Sequence, residues 1–196
     1  MTRDEPPRST TGTWGLVGQV LYFDALGAIE TIGGVVKLEF LSILPRTQGE
    51  SGAWAEVSRR IVLHRRTLTE LATSLKNLVA QLEAAGMGAE RALAPPPHRV
   101  EEPRFQIPET LVEGVGAASV ESGFVRVELT SREKDPVSLR DEMRAVPCLR
   151  LVMPPGTLFA MAAQLEAALE QQGVRLLPNN QQARRAARSP NFGEVG

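Results

Sequence analysis

Two stretches of this chain lie on each other without a gap. Gly27 to Ser42, GAIETIGGVVKLEFLS, matches Gly116 to Ser131, GAASVESGFVRVELTS, with identities at Gly27/Gly116, Ala28/Ala117, Gly34/Gly123, Val36/Val125, Glu39/Glu128 and Ser42/Ser131. After a one-residue change of spacing the match resumes, with Ile61-Val62-Leu63 on Leu151-Val152-Met153, Thr67-Leu68 on Thr157-Leu158, and Leu71, Ala72, Leu75 and Val79 on Met161, Ala162, Leu165 and Leu169. Agreement in two blocks, in the same order, indicates one unit duplicated.

The period of two in Val36, Leu38 and Phe40 against Lys37 and Glu39 predicts a half-buried strand, repeated as Val125, Val127 and Leu129 against Arg126 and Glu128. Tyr22 to Glu30 reads as a preceding strand, joined through Thr31-Ile32-Gly33-Gly34, with Glu121-Ser122-Gly123 at the same place in the second copy. A third strand is expected from about Val57 to His64, and from Ala145 to Met153. The period then becomes helical. Leu68, Leu71, Ala72, Leu75, Leu78, Val79 and Leu82 form one stripe, and Leu158, Met161, Ala162, Leu165, Ala168 and Leu169 the other. Thr67 with Glu70 has the form of a capping box, Pro154-Pro155 suits a helix start, and Gly86 and Gly173 suit helix ends.

The expected fold is therefore α+β: two β-β-β-α repeats, antiparallel meanders each followed by an amphipathic helix, packed as a pseudo-twofold dimer. One helix over three strands makes a thin core for about 65 residues, so the units are expected to pack on each other through Leu68, Leu71, Leu75, Leu158, Met161 and Leu165. The boundaries read as a disordered N-terminus at 1–13, a first unit at 14–86, a Pro-rich extended linker at 87–108, a second unit at 109–176 and a disordered tail at 177–196. Loops 45–55 and 132–143 lead into the third strands and are where the copies are expected to diverge.

The pattern Tyr22-Phe23-x-x-Leu26, Val36-x-Leu38-x-Phe40-x-x-x-Leu44-Pro45, Val57-Ser58-Arg59-Arg60-Ile61-Val62-Leu63 and a helix with Leu68, Leu71, Leu75 and Leu78 resembles a small bacterial and archaeal domain of unknown function, number 3467. The resemblance covers about residues 20–85, and residues 112–173 more loosely. Arg65-Arg66 stands where a proline often opens the helix in that family; Pro154-Pro155 is closer to its pattern. The resemblance implies a fold and no activity. The order of elements is also similar to that of the SecB export chaperone, without shared motifs.

Formal charge is −1, from 22 Lys+Arg against 23 Asp+Glu, so charge balance singles out no polyanionic partner. No apolar run reaches the roughly 18 residues of a membrane span, and Met1 to Thr13 is polar. A cytoplasmic protein without membrane insertion is expected. Catalytic signals are thin. His64 ends a strand and its counterpart is Pro154; Cys148 lacks a CxxC or Cys-His spacing and reads as a small core residue; Asp4, Asp24, Asp135 and Asp141 form no metal-ligand cluster; Gly114-Val115-Gly116 lacks the third glycine of a dinucleotide loop. No catalytic residue, cofactor or metal is assigned.

The leading expectation is a non-catalytic protein-binding or assembly module, adaptor- or chaperone-like, whose partner is another protein or a second copy in a homo-oligomer. The surface expected to receive it is the outer side of the second strand of each unit: Val35, Lys37, Glu39 and Leu41, and Phe124, Arg126 and Glu128. Alternatively, Phe124 packs under the linker around Phe105 and Ile107. Two other functions are weighed: an enzyme with a site between the units using His64, Glu50, Glu56 or Asp135, and a nucleic-acid binder through Arg184, Arg185 and Arg188, for which three charges make a weak footprint.

Overall fold

The computed structural model describes residues 19–44, 53–87, 98–101, 106–135, 142–174 and 176. The element order is β1 (Gln19–Tyr22), β2 (Ala25–Ile32), β3 (Val35–Leu44), β4 (Ala53–His64), α1 (Arg65–Ala84), β5 (His98–Glu101), β6 (Glu109–Val112), β7 (Gly114–Glu121), β8 (Phe124–Lys134), β9 (Met143–Met153) and α2 (Pro155–Gln171). The fold is α+β, with antiparallel meanders β2-β3-β4 and β7-β8-β9. Gly33 (φ 62°) makes the first hairpin turn, and Ser122 (φ 51°) with Gly123 (φ 79°) the second. These left-handed values match the strand twist in two-residue hairpins.

Tyr22 to Glu30 is not one strand. It breaks at Phe23-Asp24, and the two pieces go to different sheets. β1 runs parallel to β9, with Gln19 opposite Leu149 and Tyr22 opposite Val152, whereas β2 pairs β3. The second half of the chain does the converse: β6 runs parallel to β4, with Glu109 opposite Arg60 and Val112 opposite Leu63, before β7 pairs β8. Each meander thus has its fourth strand supplied from ahead of the other meander. The corner between the pieces is held alike on both sides. Asp24 N–H donates to the Leu41 carbonyl and Glu113 N–H to the Thr130 carbonyl, both at 2.9 Å. The Asp24 carboxylate accepts from Ile43 N–H at 2.9 Å, and the Glu113 carboxylate from Arg132 N–H at 2.7 Å.

Those corners also receive the helix starts, which overturns the capping box. α1 begins at Arg65 with His64 as its N-cap residue, so Thr67 is already inside the first turn. Its hydroxyl donates to the Glu113 carbonyl at 3.2 Å, and Glu70 instead pairs with Arg66 at 3.0 Å. Thr157 in α2 donates to the Asp24 carbonyl at 2.7 Å. Both threonines are buried, where an unpaired hydroxyl is costly, so a long-range acceptor prevails over the local one. Pro154 is the N-cap residue and Pro155 opens α2, while Gly86 (φ 80°) and Gly173 (φ 75°) follow the helix ends.

A single core results. Val36, Leu38, Phe40, Ile61 and Leu63 of one sheet and Val125, Val127, Leu129, Leu149 and Leu151 of the other enclose Leu68, Leu71, Leu75, Leu158, Met161, Leu165 and Leu169 of the helices. α1 rests chiefly on β7, α2 on β2, and the helices touch each other. The helix surfaces meet at Lys76 and Glu166, whose Nζ and Oε1 are 2.6 Å apart. The Phe23 and Phe40 rings pack edge to face, their centroids 4.6 Å apart.

The third strands are longer than expected: β4 starts at Ala53 and β9 at Met143, while β8 extends to Lys134. The presumed loops shorten accordingly, and residues 45–52 and 136–141 lie outside the described residues. The linker is not wholly without structure, since it contributes β5, parallel to β4 from Ala53 to Glu56, and the buried Ile107. The segments expected to be disordered, 1–13 and 177–196, lie outside the described residues.

Candidate binding surfaces

The strand register fixes which side chains share the outer face of each sheet, because directly opposed residues point the same way and every second residue repeats it. On one sheet Tyr22, Val152 and Arg126 form a row, with Val20, Arg150 and Glu128 beside it and Phe124 on the other side of Arg126. On the other sheet the row is Leu111, Val62 and Lys37, flanked by Glu109, Arg60 and Glu39, with Val35 next to Lys37. Each face therefore carries three apolar residues around one cation. Tyr22 is 68% exposed, Leu111 54% and Phe124 45%, and exposure of this kind has no role in the folded core, whereas Val152, beneath Tyr22 and Arg126, is only 5% exposed.

The charges among them are paired along the face. Arg60 reaches Glu39 at 2.7 Å and Arg150 reaches Glu128 at 3.4 Å; Lys37 meets Glu109 at 3.1 Å and Arg126 meets Glu121 at 2.6 Å. At these exposures each pair is worth little to stability, about 1 kcal/mol or less, so the residues are free to be chosen for recognition.

Of the residues expected at a partner surface, Val35, Lys37, Glu39, Arg126 and Glu128 are half-buried on the outer faces and Phe124 is exposed. Leu41 is the exception. It points outward but is 1% exposed, clustered with Ala25, Ala55, Val57 and Ile107, because the chain ahead of β6 crosses this corner and covers it. Ile107 thus sits over Leu41 and not over Phe124, which corrects the Ile107 part of the packing considered for Phe124; Phe105 lies outside the described residues. Tyr22, Leu111 and Val20 were missed. Their signal requires knowing that β1 and β6 change sheets.

Among the described residues, the same corner of the other sheet is open. A cleft of about 570 Å³ lies there, floored by Gly114, Thr130, Arg132 and Ala145 and walled by His64, Arg66, Thr67 and Glu70 from the start of α1. A Cβ at Gly114 would stand 2.8 Å from Thr130 Oγ1, which accounts for the first glycine of Gly114-Val115-Gly116. His64 is exposed at this rim, so the cleft joins residues of both halves. Glu56 is exposed elsewhere on β4, opposite Ser42, and Asp135 follows the end of β8; neither lines the cleft. Glu50, Arg184, Arg185 and Arg188 lie outside the described residues.

Cys148 is half-buried at a bulge of β9 opposite Leu129 and Thr130, where its thiol donates to the Leu129 carbonyl at 3.4 Å. Burial raises its pKa above the ordinary thiol value, which disfavours the thiolate. Ser58 does the same in β4, donating to the Phe40 carbonyl at 3.0 Å. These side chains serve the bulges. Among the described residues there is no group of three or more His, Cys, Asp or Glu placed to hold a metal ion, and no helix long and apolar enough to cross a membrane.

No family model, curated protein or solved structure matches this chain.

Proposed function

We propose that the chain is a duplicated β-β-β-α unit arranged about a pseudo-twofold axis, and that it is a non-catalytic protein-binding module whose two outer sheet faces hold a partner. The duplication is supported by the corner bonds. A shift of 89 residues turns Asp24, Leu41 and Ile43 into Glu113, Thr130 and Arg132, and a shift of 90 turns Thr67 into Thr157, carrying one set of hydrogen bonds onto the other. Lys76 and Glu166 are also 90 apart and face each other, as residues beside a twofold axis do.

The observation that carries the function is the set of apolar residues around a central cation on each face, the exposed Tyr22 and Phe124 about Arg126 and Leu111, Val62 and Val35 about Lys37. Tyrosine, phenylalanine and arginine are the side chains that anchor protein interfaces. The faces have diverged, aromatic with arginine on one and aliphatic with lysine on the other, so a partner distinguishes them. The relation to the domain of unknown function 3467 and an adaptor or chaperone role belong to the same reading.

Phe124→Ser and Tyr22→Ser are expected to leave the melting temperature nearly unchanged and to weaken partner capture at least severalfold, measured by comparative affinity purification and titration of the recovered protein. A stable double variant that binds the recovered protein as tightly as the parent refutes the face assignment.

One observation favours a second reading. The cleft at His64, Arg66, Thr130 and Arg132 draws on both halves, as expected of an enzyme with a site between the units. If His64→Ala and Arg132→Ala abolish a function that survives the Tyr22 and Phe124 changes, the cleft is the site.

The corner acids hold strand backbone in either reading, and Glu113 also lines the cleft. Asp24→Ala removes the acceptor of a part-buried strand N–H and is expected to cost about 1 to 3 kcal/mol by thermal or denaturant unfolding, whereas Glu113→Ala, whose bond to Arg132 N–H is exposed to water, is expected to cost about 1 kcal/mol or less.

A further inference from the structure

The two corners are held by the same backbone bonds and lined by opposite chemistry. By the shifts of 89 and 90 residues, Leu41, Ile43, Pro154, Gly156 and Ala160 at the Asp24 corner stand where Thr130, Arg132, His64, Arg66 and Glu70 stand at the Glu113 corner. None of the first five carries a polar side chain, and Leu41 is buried with Ile107. Every one of the second five does, and all of them line the cleft of about 570 Å³.

Part of this polarity is used by the fold. Glu70 accepts from Arg66 at 3.0 Å, and the Glu113 carboxylate is tied to the backbone of β8 by the Arg132 N–H at 2.7 Å. The remainder is unspent. Among the described residues, the side chains of His64, Thr130 and Arg132 have no hydrogen-bond or ion-pair partner. Both carboxylates of the cleft are thus engaged, while a guanidinium, an imidazole and a hydroxyl are left over to donate. That surplus of donors suits an anion. The volume suits more than a bare ion, since sites for small organic ligands run from about 300 to 1,000 Å³.

We propose that this cleft binds a small organic anion, its carboxylate or phosphate group set on the Arg132 guanidinium, with His64 and Thr130 as further donors. A guanidinium presents paired N–H groups in a planar fork that matches either group. The proposal takes its place in the molecule from the second reading above. It claims binding without a reaction, and it is independent of the sheet faces.

The test is titration of the full-length protein with succinate, glycerol 3-phosphate and inorganic phosphate, followed through the NMR signals of its two histidine rings. His98 pairs with Ala53, at the opposite end of β4 from His64, and is the internal control. A saturable shift of the His64 signals is expected, at lower concentration for one of the organic anions than for inorganic phosphate, with His98 unmoved. The preference between succinate and glycerol 3-phosphate tells carboxylate from phosphate. Arg132→Gln is expected to weaken this binding at least tenfold, and Arg99→Gln in β5, opposite Trp54, to leave it unchanged, with circular dichroism the same in both. No saturable shift with any of the three overturns the proposal, and so does equal binding by Arg132→Gln. Inorganic phosphate binding as tightly as both organic anions marks an adventitious ion only and overturns it too. Binding in a protein whose function survives His64→Ala refutes the second reading and upholds this one.

Discussion

Residues 14–86 expressed alone are expected to yield an unfolded or self-associating product, never a well-folded monomer. The fragment contains β2, β3, β4 and α1, but β4 loses β6 from its outer edge and α1 loses β7. The buried hydroxyl of Thr67 loses the Glu113 carbonyl, and β1 loses β9, its sheet partner. An unpaired strand edge and an uncovered apolar helix face invite association with another copy. Circular dichroism with sedimentation or light scattering decides the matter. A cooperative, monomeric fold of this fragment would mean that the exchanged strands are dispensable.

The second large effect concerns Leu75 and Leu165, both fully buried where the helices meet the shared core. Truncating either to alanine is expected to cost about 2 to 5 kcal/mol, from lost burial and from the cavity left behind. For a domain of this size that lowers the melting temperature by several degrees or more. Lys76→Ala, one position along, is the control. It breaks the contact with Glu166, but the two side chains are 37% and 38% exposed, so screening limits the loss to under about 1 kcal/mol. Equal effects at the three sites would mean that the buried face of the helices is elsewhere.

The meanders and the helical stripes were legible because they rest on local periodicity. Val36, Leu38 and Phe40, and Leu68, Leu71 and Leu75, point where their spacing says. What periodicity does not encode is which partner an element finds. Tyr22 to Glu30 has no proline or glycine at Phe23-Asp24 to mark a break, and the break goes with the Asp24 carbonyl and carboxylate being taken by Thr157 and Ile43, 133 and 19 residues away. Thr67 looked like a cap for the same reason: its true acceptor, the Glu113 carbonyl, is 46 residues distant. Leu41 kept its outward parity and still became buried, since Ile107 arrives from the linker. At the candidate surface the central cations and Phe124 could be read from β3 and β8 alone. Tyr22 and Leu111 could not, because their place beside Arg126 and Lys37 depends on the exchange.

That exchange also has a consequence for how the protein is made. A growing chain emerges N-terminus first, and when α1 has left the ribosome neither β6 nor β7 has emerged behind it. The apolar face of α1 and the open edge of β4 must wait for them, and β1 waits for β9, about 130 residues behind it. At about 5 to 20 residues per second, that leaves the first half incomplete for on the order of 6 to 26 seconds. Ordinary tandem domains fold one after the other during translation; here the first half cannot be finished until the second has arrived.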